Sequence, residues 1–196
     1  MAIRNQVGAL TFVGSYPKEL PILDMPEVAF AGRSNVGKSS ALNTLLNRKS
    51  AARVSGTPGR TQTINLFRVG TGCVFADLPG YGFAKVPEAV QDAWKGMIES
   101  YLADRDQLKL VVVLVDARRV PQEMDGQLLY ALTESDIPSL VVATKVDKLK
   151  KQERQKNLRA IAKEFNLGAG QLVAFSSLNG TGRDEVWTRI EAACSG

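Results

Sequence analysis

The chain contains no histidine and only two cysteines among its 196 residues. The lack of histidine excludes a histidine general base, a Ser-His-Asp triad and most catalytic zinc sites. Cys73 and Cys194 do not have the paired spacing of a metal or redox motif. We therefore interpret Cys73 as a core strand residue and Cys194 as an incidental thiol of the tail.

Long apolar runs are also missing. No run approaches the roughly 18 residues that a membrane span needs, and the polar stretch 1–8 does not resemble a signal peptide. We expect a cytoplasmic protein without a membrane partner. The apolar fraction of 44% is enough for a substantial core. We expect a single domain over residues 1–196, in which residues 1–27 form a lead-in segment and not a separate domain.

The net charge of +5, with a pI near 9.3, does not decide the partner. It is compatible with an RNA-bearing partner, whose phosphates lysine and arginine would neutralise, and equally with an ordinary basic protein.

Strand-like and helix-like patterns alternate from residue 28 to the end of the chain. This alternation predicts an α/β fold with a mostly parallel sheet, one antiparallel strand and helices on both faces. Apolar and polar residues alternate only partly over residues 64–69, which predicts a half-buried edge strand that forms a hairpin with residues 73–76. An extra strand is possible at 9–13. The continuous apolar runs that predict parallel strands are residues 28–31, 110–115, 140–143 and 172–175.

A phosphate-binding pattern lies between the first of these strands and a helix. It has the form Gly, four variable residues, Gly-Lys-Ser, from Gly32 to Ser39. Its glycines let backbone N–H groups surround a phosphate chain, Lys38 would neutralise the terminal phosphates, and the Ser39 hydroxyl would bind Mg²⁺. The plainer alternative is a glycine-rich turn between strand and helix. The predicted loop residues are Gly32, Arg33, Ser34, Asn35, Val36, Gly37, Lys38, Ser39 and Ser40.

Other polar segments follow strands that should end at the same edge of the sheet, where ligands bind in such folds. Asp77 ends an apolar strand and is expected to hold Mg²⁺, while Gly80 lets the backbone approach a γ-phosphate. A threonine of the loop before that strand would complete the metal shell, with Thr57, Thr61 and Thr63 as candidates.

A base-recognition element is predicted after the strand at 140–143. A carboxylate at Asp147 can accept two hydrogen bonds from guanine, whereas adenine lacks that edge. The stem of Lys145 could stack on the base, and backbone N–H groups near Ser177 could reach the guanine carbonyl. Ordinary turn capping is the alternative, above all for the serines. The residues concerned are Thr144, Lys145, Val146, Asp147, Ser176, Ser177 and Leu178.

Four segments together resemble the EngB (YihA/YsxC) family of bacterial ribosome-assembly GTPases, within the translation-factor-like P-loop GTPases. They are residues 32–40, 57–65, 77–82 and 144–148, and the resemblance covers about residues 8–192. It implies a three-layer Ras-like G domain with GTP or GDP and Mg²⁺ as cofactors and Ser39, Thr61 and Asp77 as metal ligands. The remaining nucleotide-contacting residues that it implies are Gly59, Arg60, Gln62, Thr63, Leu78, Pro79 and Gly80.

The resemblance also implies a GTP-controlled role in assembling the large ribosomal subunit, with loss of the protein disturbing cell division and septation. We expect a monomer without a DNA partner. Seven basic residues opposed only by Glu153 predict a surface that contacts ribosomal RNA, with a solvated helix face as the alternative. They are Lys148, Lys150, Lys151, Arg154, Lys156, Arg159 and Lys163. Arg118 and Arg119 form a smaller basic site.

The candidate catalytic residues depart from the Ras-like pattern. Tyr81 stands where many GTPases carry a water-orienting glutamine, so we predict slow intrinsic hydrolysis. Lys38 and Thr61 would act in catalysis, and Asn35 either helps a K⁺ ion to bind or only shapes the loop. Two alternatives stay open at this point: a GTP-sensing module with negligible turnover, and a P-loop ATPase or small-molecule kinase, against which Asp147 argues.

Overall fold

The computed structural model describes residues 2–49, 51, 63–82, 88–103 and 105–195, with the side chains of 88–94 left aside. A seven-stranded sheet runs through it, in the order β1-β3-β4-β2-β5-β6-β7. The strands are β1 Leu10–Tyr16, β2 Glu27–Gly32, β3 Ile64–Val69, β4 Cys73–Asp77, β5 Leu108–Asp116, β6 Ser139–Thr144 and β7 Leu172–Ala174. The helices are α1 Lys38–Leu45, α2 Glu88–Ala103, α3 Glu123–Glu134, α4 Lys151–Glu164 and α5 Arg183–Ser195, with short 3₁₀ helices at Ile3–Ala9 and Val146–Lys148.

The predicted fold class is confirmed. From β4 through β2, β5 and β6 to β7 every pairing is parallel, and β3 alone runs antiparallel to its neighbours. The strand β5 shows why the parallel strands appear in the sequence as continuous apolar runs. Its residues Val111 and Val113 face one core cluster, and Val112 and Leu114 face the other. Because alternate side chains of a strand point to opposite faces, a strand buried on both faces must be apolar throughout.

The two clusters define the three layers. One cluster joins the sheet to α2, α3 and α4, and it includes Ile98, Leu132 and Ile161. The other joins the opposite face to α1 and α5, and it includes Leu42 and Trp187, whose ring stacks on Phe75 with centroids 5.5 Å apart. The helix α1, which follows the predicted phosphate loop, and the basic helix α4 therefore lie on opposite faces of the sheet.

The prediction that residues 64–69 form an edge strand is wrong. β1 pairs with the outer side of β3, from Leu10 opposite Val69 to Tyr16 opposite Ile64, and β1 is the edge strand. The sequence of β3 looked half-buried because Arg68 is exposed, although most of its other side chains are buried. The extra strand predicted near residues 9–13 is the one that covers this edge.

The interpretation of Cys194 as an incidental tail thiol is also wrong. Cys194 lies on α5 and packs, partly buried, against the cluster that contains the fully buried Cys73. The neighbouring Cys194 thiol and burial together raise the pKa of Cys73 well above its usual value. Both cysteines are free thiols.

The lead-in segment is held against α5. The backbone N–H and the guanidinium of Arg4 both donate to the carboxylate of Glu191, with Nε at 2.9 Å. This pairing lowers the pKa of Glu191. The assignment of residues 1–196 to a single G domain stays a prediction. None of the helices in the described part of the chain is long and apolar enough to cross a membrane.

Candidate nucleotide site

The predicted phosphate loop follows β2 directly and ends in α1. Gly37 has φ of 103°, a backbone conformation that glycine adopts without strain. A Cβ at Gly32 would lie 2.9 Å from the carbonyl oxygen of Leu114, so the loop approaches β5 more closely than a side chain permits. Asn35 also has a positive φ, of 64°, and is exposed at the tip of the loop. The sequence thus folds here into a tight turn whose glycines are required by geometry.

The structure brings Lys38 and Asp77 together. The ammonium group of Lys38, on the first residue of α1, pairs with the Asp77 carboxylate at the end of β4. Both side chains are largely buried, at 12% and 8% exposure. Ser39, the third predicted ligand-bearing group, is the next residue of α1 and is half-buried. A phosphate and a metal ion would each compete for one member of this ion pair.

The segment after Asp77 runs alongside the phosphate loop. The N–H of Ser34 donates to the carbonyl of Tyr81 at 2.9 Å, and the N–H of Leu78 donates to Phe30 at 3.1 Å. A Cβ at Gly80 would lie 3.3 Å from the Ser34 hydroxyl. Pro79 and Gly80 are half-buried beside the loop. The residue predicted to approach a γ-phosphate therefore lies next to the phosphate loop.

Tyr81 does not face that loop with its side chain. It is buried, and its hydroxyl donates to Asp125 Oδ1 on α3 at 2.7 Å. Burial raises the pKa of the Tyr81 hydroxyl well above its usual value, and burial also raises the pKa of Asp125. The guanidinium of Arg33 lies near the same pair and donates to the carbonyl of Gly82 at 3.4 Å. Sequence reasoning missed Asp125, because nothing local in the sequence marks its contact with a residue 44 positions away.

The strand that carries the base-recognition element also holds the phosphate loop. The Thr144 hydroxyl donates toward the carbonyls of Val36 at 2.6 Å and Val115 at 3.0 Å. Lys145 has φ of 61°, and its ammonium group donates to the carbonyl of Asn35 at 2.5 Å. Its stem passes over Gly37, since a Cβ there would lie 3.6 Å from Lys145 Cε. The two predicted motifs are thus one connected structure.

Asp116, at the end of β5, was not among the predicted site residues. Its carboxylate binds Lys145 at 3.0 Å and Arg118 at 2.8 Å, with Arg119 at 3.9 Å. Burial opposes ionisation of Asp116, but the hydrogen bonds from Arg118 and Lys145 outweigh it and hold the pKa well below its usual value. Asp116 therefore orients Lys145 across the loop. Its place at a strand end, as for Asp77, is the signal that could have revealed it.

Asp147 lies in the short 3₁₀ helix after β6, where Ser176 fixes its orientation. The Ser176 hydroxyl donates to Asp147 Oδ1 at 2.6 Å and lowers the pKa of Asp147. Val146 is buried and its N–H donates to Phe175 at 3.3 Å, which joins this helix to the end of β7. The predicted base-recognition carboxylate is thus ionised and held in place.

Two of the three amides predicted to reach a base carbonyl are used inside their own loop. The N–H of Ser176 donates to Thr181 at 3.0 Å, and that of Leu178 donates to the Ser176 hydroxyl at 3.1 Å. Ser177 is exposed, and its N–H is the remaining candidate. Leu178 is 76% exposed beside Ser177.

Several predicted residues lie outside the described part of the chain. They include Thr57 and the preferred metal ligand Thr61, together with Gly59, Arg60 and Gln62. Thr63 is described: it is half-buried before β3, and its hydroxyl is 3.5 Å from Asn65 Oδ1. Among the described residues there is no group of three or more histidine, cysteine or acidic side chains able to hold a metal ion. Any metal here would rely on single carboxylate and hydroxyl groups with its other ligands from elsewhere.

Comparison with known proteins agrees with this geometry. Residues 27–145 match the sequence model of a family described as "50S ribosome-binding GTPase". The chain is 50% identical to the probable GTP-binding protein EngB of Geobacter metallireducens over 95% of its own length and 92% of that protein. It is 46% identical to the EngB protein of Ligilactobacillus salivarius, over 93% and 94%.

Comparison with solved structures also finds an EngB protein. A crystal structure of a probable GTP-binding protein engB superposes with a TM-score of 0.72 and 27% identity, over 86% of this chain and 98% of that one. These EngB relatives are matched along nearly their whole length. The chain therefore belongs to the EngB family of GTP-binding proteins and is a P-loop GTPase.

Proposed function

We propose that this GTPase is a slow, Mg²⁺-dependent switch in the cytoplasm that assists assembly of the large ribosomal subunit and is needed for normal cell division and septation. The observation that carries the proposal is the convergence of four strand ends at one edge of the sheet. There Lys38 meets Asp77, Lys145 meets Asn35, and Ser176 meets Asp147. The family description, a 50S ribosome-binding GTPase, supports the choice of partner.

The phosphate chain of GTP would lie in the loop at 32–40, with its charge offset by Lys38 and the backbone N–H groups. Mg²⁺ would be held by Ser39, Asp77 and Thr61. These are hard oxygen donors of the kind Mg²⁺ prefers, and the small number of carboxylates fits an ion that also binds phosphate oxygens and water. When bound, the ion would neutralise charge on the phosphates. Lys38 would stabilise the negative charge that develops on the γ-phosphate.

Guanine would be selected by Asp147, whose carboxylate is oriented by Ser176 at 2.6 Å. Asp147→Asn replaces one acceptor oxygen with a donor. We expect GTP affinity to fall by at least a hundredfold, because one hydrogen bond is lost, an opposed donor takes its place, and the remaining bond is no longer to a charged group. Equilibrium competition between GTP and ATP measures this. Ser176→Ala is the matched variant and should lower affinity by a smaller factor. A Asp147→Asn protein that still prefers GTP over ATP would exclude this role for Asp147.

Slow hydrolysis is supported by the position of Tyr81, whose hydroxyl is bonded to Asp125 inside the protein. We propose that a K⁺ ion or the partner supplies the missing assistance. The backbone carbonyl of Asn35 already accepts from Lys145, so its exposed side-chain amide oxygen is the group that would bind K⁺. Hydrolysis rates measured in matched K⁺ and Na⁺ buffers test the role of K⁺, and equal rates would refute that role.

The ribosomal contact would lie on α4. Of the seven basic residues predicted for this surface, five lie on α4 and two, Lys148 and Lys150, lie just before it. Six of the seven are exposed and only Arg154 is half-buried. The apolar side chains Leu158, Ile161 and Phe165 pack into the core. The cations therefore form one solvent-facing surface. Phosphate contacts from such a surface make binding strongly salt-dependent.

Cosedimentation with purified large subunits tests the ribosomal function. We expect binding with a non-hydrolysable GTP analogue to exceed binding with GDP, and to fall at least tenfold when Lys151, Arg154 and Lys156 are replaced with glutamate. A control that reverses the exposed Lys18 alone should bind like the wild type. If neither nucleotide state supports binding, the ribosomal part of the proposal fails.

A further inference from the structure

A cavity lies at the opposite end of α1 from the phosphate loop. Its volume is about 440 Å³. Because α1 has eight residues, its far end is about 12 Å from the loop. It also lies on the α1–α5 face of the sheet, whereas the basic surface of α4 lies on the other face. The lining residues are Asn43, Thr44, Asn47, Arg48, Lys49 and Arg183.

The cavity is strongly basic. Among the residues that the structure describes, six line the cavity: three of them are Arg48, Lys49 and Arg183, and none of the six is acidic. Within the described part of the chain, the ion pairs use other cations, such as Arg4, Arg105 and Arg118. The nearest acidic side chains in sequence, Asp184 and Glu185, are exposed and do not line the cavity. The three positive charges are therefore not neutralised by a carboxylate of the cavity wall.

The end of α1 would normally oppose an anion, because free carbonyl groups give a helix C-terminus a partial negative charge. Here those carbonyls already accept hydrogen bonds. The carbonyl of Leu45 accepts from Trp187 Nε1 at 3.2 Å, and that of Asn43 accepts from the N–H of Arg48 at 2.9 Å. The carbonyl of Thr44 accepts from Asn47 at 3.3 Å. The helix end is thus covered by donors of the protein itself.

Arg183 gives an independent indication. Its Nε is buried and has no hydrogen-bond partner among the residues that the structure describes. Its Nη2 makes only a long contact, of 3.5 Å, with the carbonyl of Leu45. Buried donors are almost always paired in folded proteins. A small turn of this guanidinium toward an oxyanion in the cavity would satisfy the donor.

We propose that this cavity binds a backbone phosphate of an RNA strand. Arginine presents a planar fork that matches phosphate, lysine adds a point charge, and the side-chain amide of Asn47 adds neutral donors. The volume of the cavity suits a ligand the size of a nucleotide, and a single phosphate group would fill only part of it. Asn47, Arg48 and Lys49 are exposed, so the cavity opens to solvent and a polymer can continue beyond it.

This inference rests on the proposed ribosomal function for its choice of RNA, but it uses a surface on the other face of the sheet from α4. An RNA could therefore be held at two places, one on each face. The contributions of the two surfaces should be separable by mutation.

The test is anisotropy of a labelled single-stranded RNA of mixed sequence, titrated with the full-length, GDP-loaded protein at several salt concentrations. Lys49→Glu should weaken binding about tenfold at low salt and reduce the salt slope by about 1. Lys109→Glu, an exposed residue outside the cavity with the same change of charge, should leave binding within twofold. Arg183→Lys keeps the charge but removes the fork, and should weaken binding less than Lys49→Glu.

Equal effects of Lys49→Glu and Lys109→Glu, or no effect of either, would overturn the proposal. Inorganic phosphate and AMP form the second arm: if they bind as tightly as the RNA in a Lys49-dependent way, the occupant is a small phosphate compound and the RNA assignment is wrong. Should the wild type fail to sediment with large subunits while RNA binding still depends on Lys49, the ribosomal proposal fails and the cavity proposal stands. Unchanged thermal unfolding of each variant shows that folding is intact.

Discussion

The buried hydrogen bond between Tyr81 and Asp125 gives the sharpest test of the site. Tyr81→Phe removes one oxygen and leaves the ring, while Asp125 stays only 3% exposed and loses its donor at 2.7 Å. A hydrogen bond to a buried charged group contributes about 1.5–3 kcal/mol, and its loss leaves the carboxylate poorly satisfied. For a chain of this length 1 kcal/mol corresponds to about 2–4 °C, so we expect Tm to fall by roughly 3–12 °C.

The pH dependence of the loss follows from the pKa of Asp125. Burial raises that pKa in the folded state, while the hydrogen bond from Tyr81 lowers it. A carboxyl whose folded-state pKa lies above its unfolded value binds its proton more tightly when folded, so stability falls as pH rises through that interval. In Tyr81→Phe the pKa of Asp125 rises further, so the fall in stability should be larger and extend to higher pH. Asp125→Asn keeps an acceptor for Tyr81 but cannot ionise, so this part of the pH dependence should disappear.

The same variant separates structure from catalysis. A hydroxyl that oriented the attacking water or moved its proton would contribute 10²–10⁴-fold to the rate. Because the Tyr81 hydroxyl is bonded to Asp125 in the interior, we expect single-turnover GTP hydrolysis by Tyr81→Phe to stay within tenfold of wild type. Thermal unfolding from pH 4 to pH 8 and single-turnover hydrolysis are the two assays. Unchanged stability with a hundredfold slower hydrolysis would refute the reasoning.

Two further predictions concern Glu27, the first residue of β2, and Thr144, the last residue of β6. Glu27→Ala leaves the buried Arg105 guanidinium without its carboxylate partner at 2.7 Å. The free energy of unfolding, measured in urea, should fall by about 3–5 kcal/mol, and GTP affinity should not change. Glu27→Gln should lower the free energy of unfolding by less, and an equal loss would contradict the role of charge. Thr144→Val leaves the carbonyl of Val36 without its hydroxyl donor. GTP binding, measured by calorimetry, should weaken about fivefold to tenfold. The control Thr133→Val removes a similar hydroxyl on α3 and should leave GTP affinity unchanged.

Much of the fold could be predicted because its signals are local. The continuous apolar run of β5 and the glycine pattern at 32–39 each have one physical explanation, burial on both faces and close backbone approach. The partner of β3 could not be predicted in this way. Whether a strand is an edge depends on a segment 50 residues earlier, β1, and the burial pattern of β3 alone does not contain that information.

The site shows the same division between local and distant information. Lys38, Asp77 and Asp147 could be predicted from the sequence because each lies within a recognisable string of residues. Asp116 and Asp125 were missed because their roles come from contacts with Lys145 and Tyr81, 29 and 44 positions away. Tyr81 illustrates the point: sequence reasoning could say that it does not replace a glutamine, but only the packing shows that its ring lies in the core.

The contacts of β6 suggest how base recognition and phosphate binding act together. Thr144 and Lys145 hold the backbone of the phosphate loop at Val36 and Asn35, while Asp147, two residues later, is the group that would read the base. A guanine bound to Asp147 would therefore stabilise the same short segment that shapes the loop. If this coupling operates, Asp147→Asn and Thr144→Val should not be additive: the double variant should lose less GTP affinity than the sum of the two single losses. Simple additivity in a double-mutant cycle would mean that the two ends of the nucleotide are bound independently.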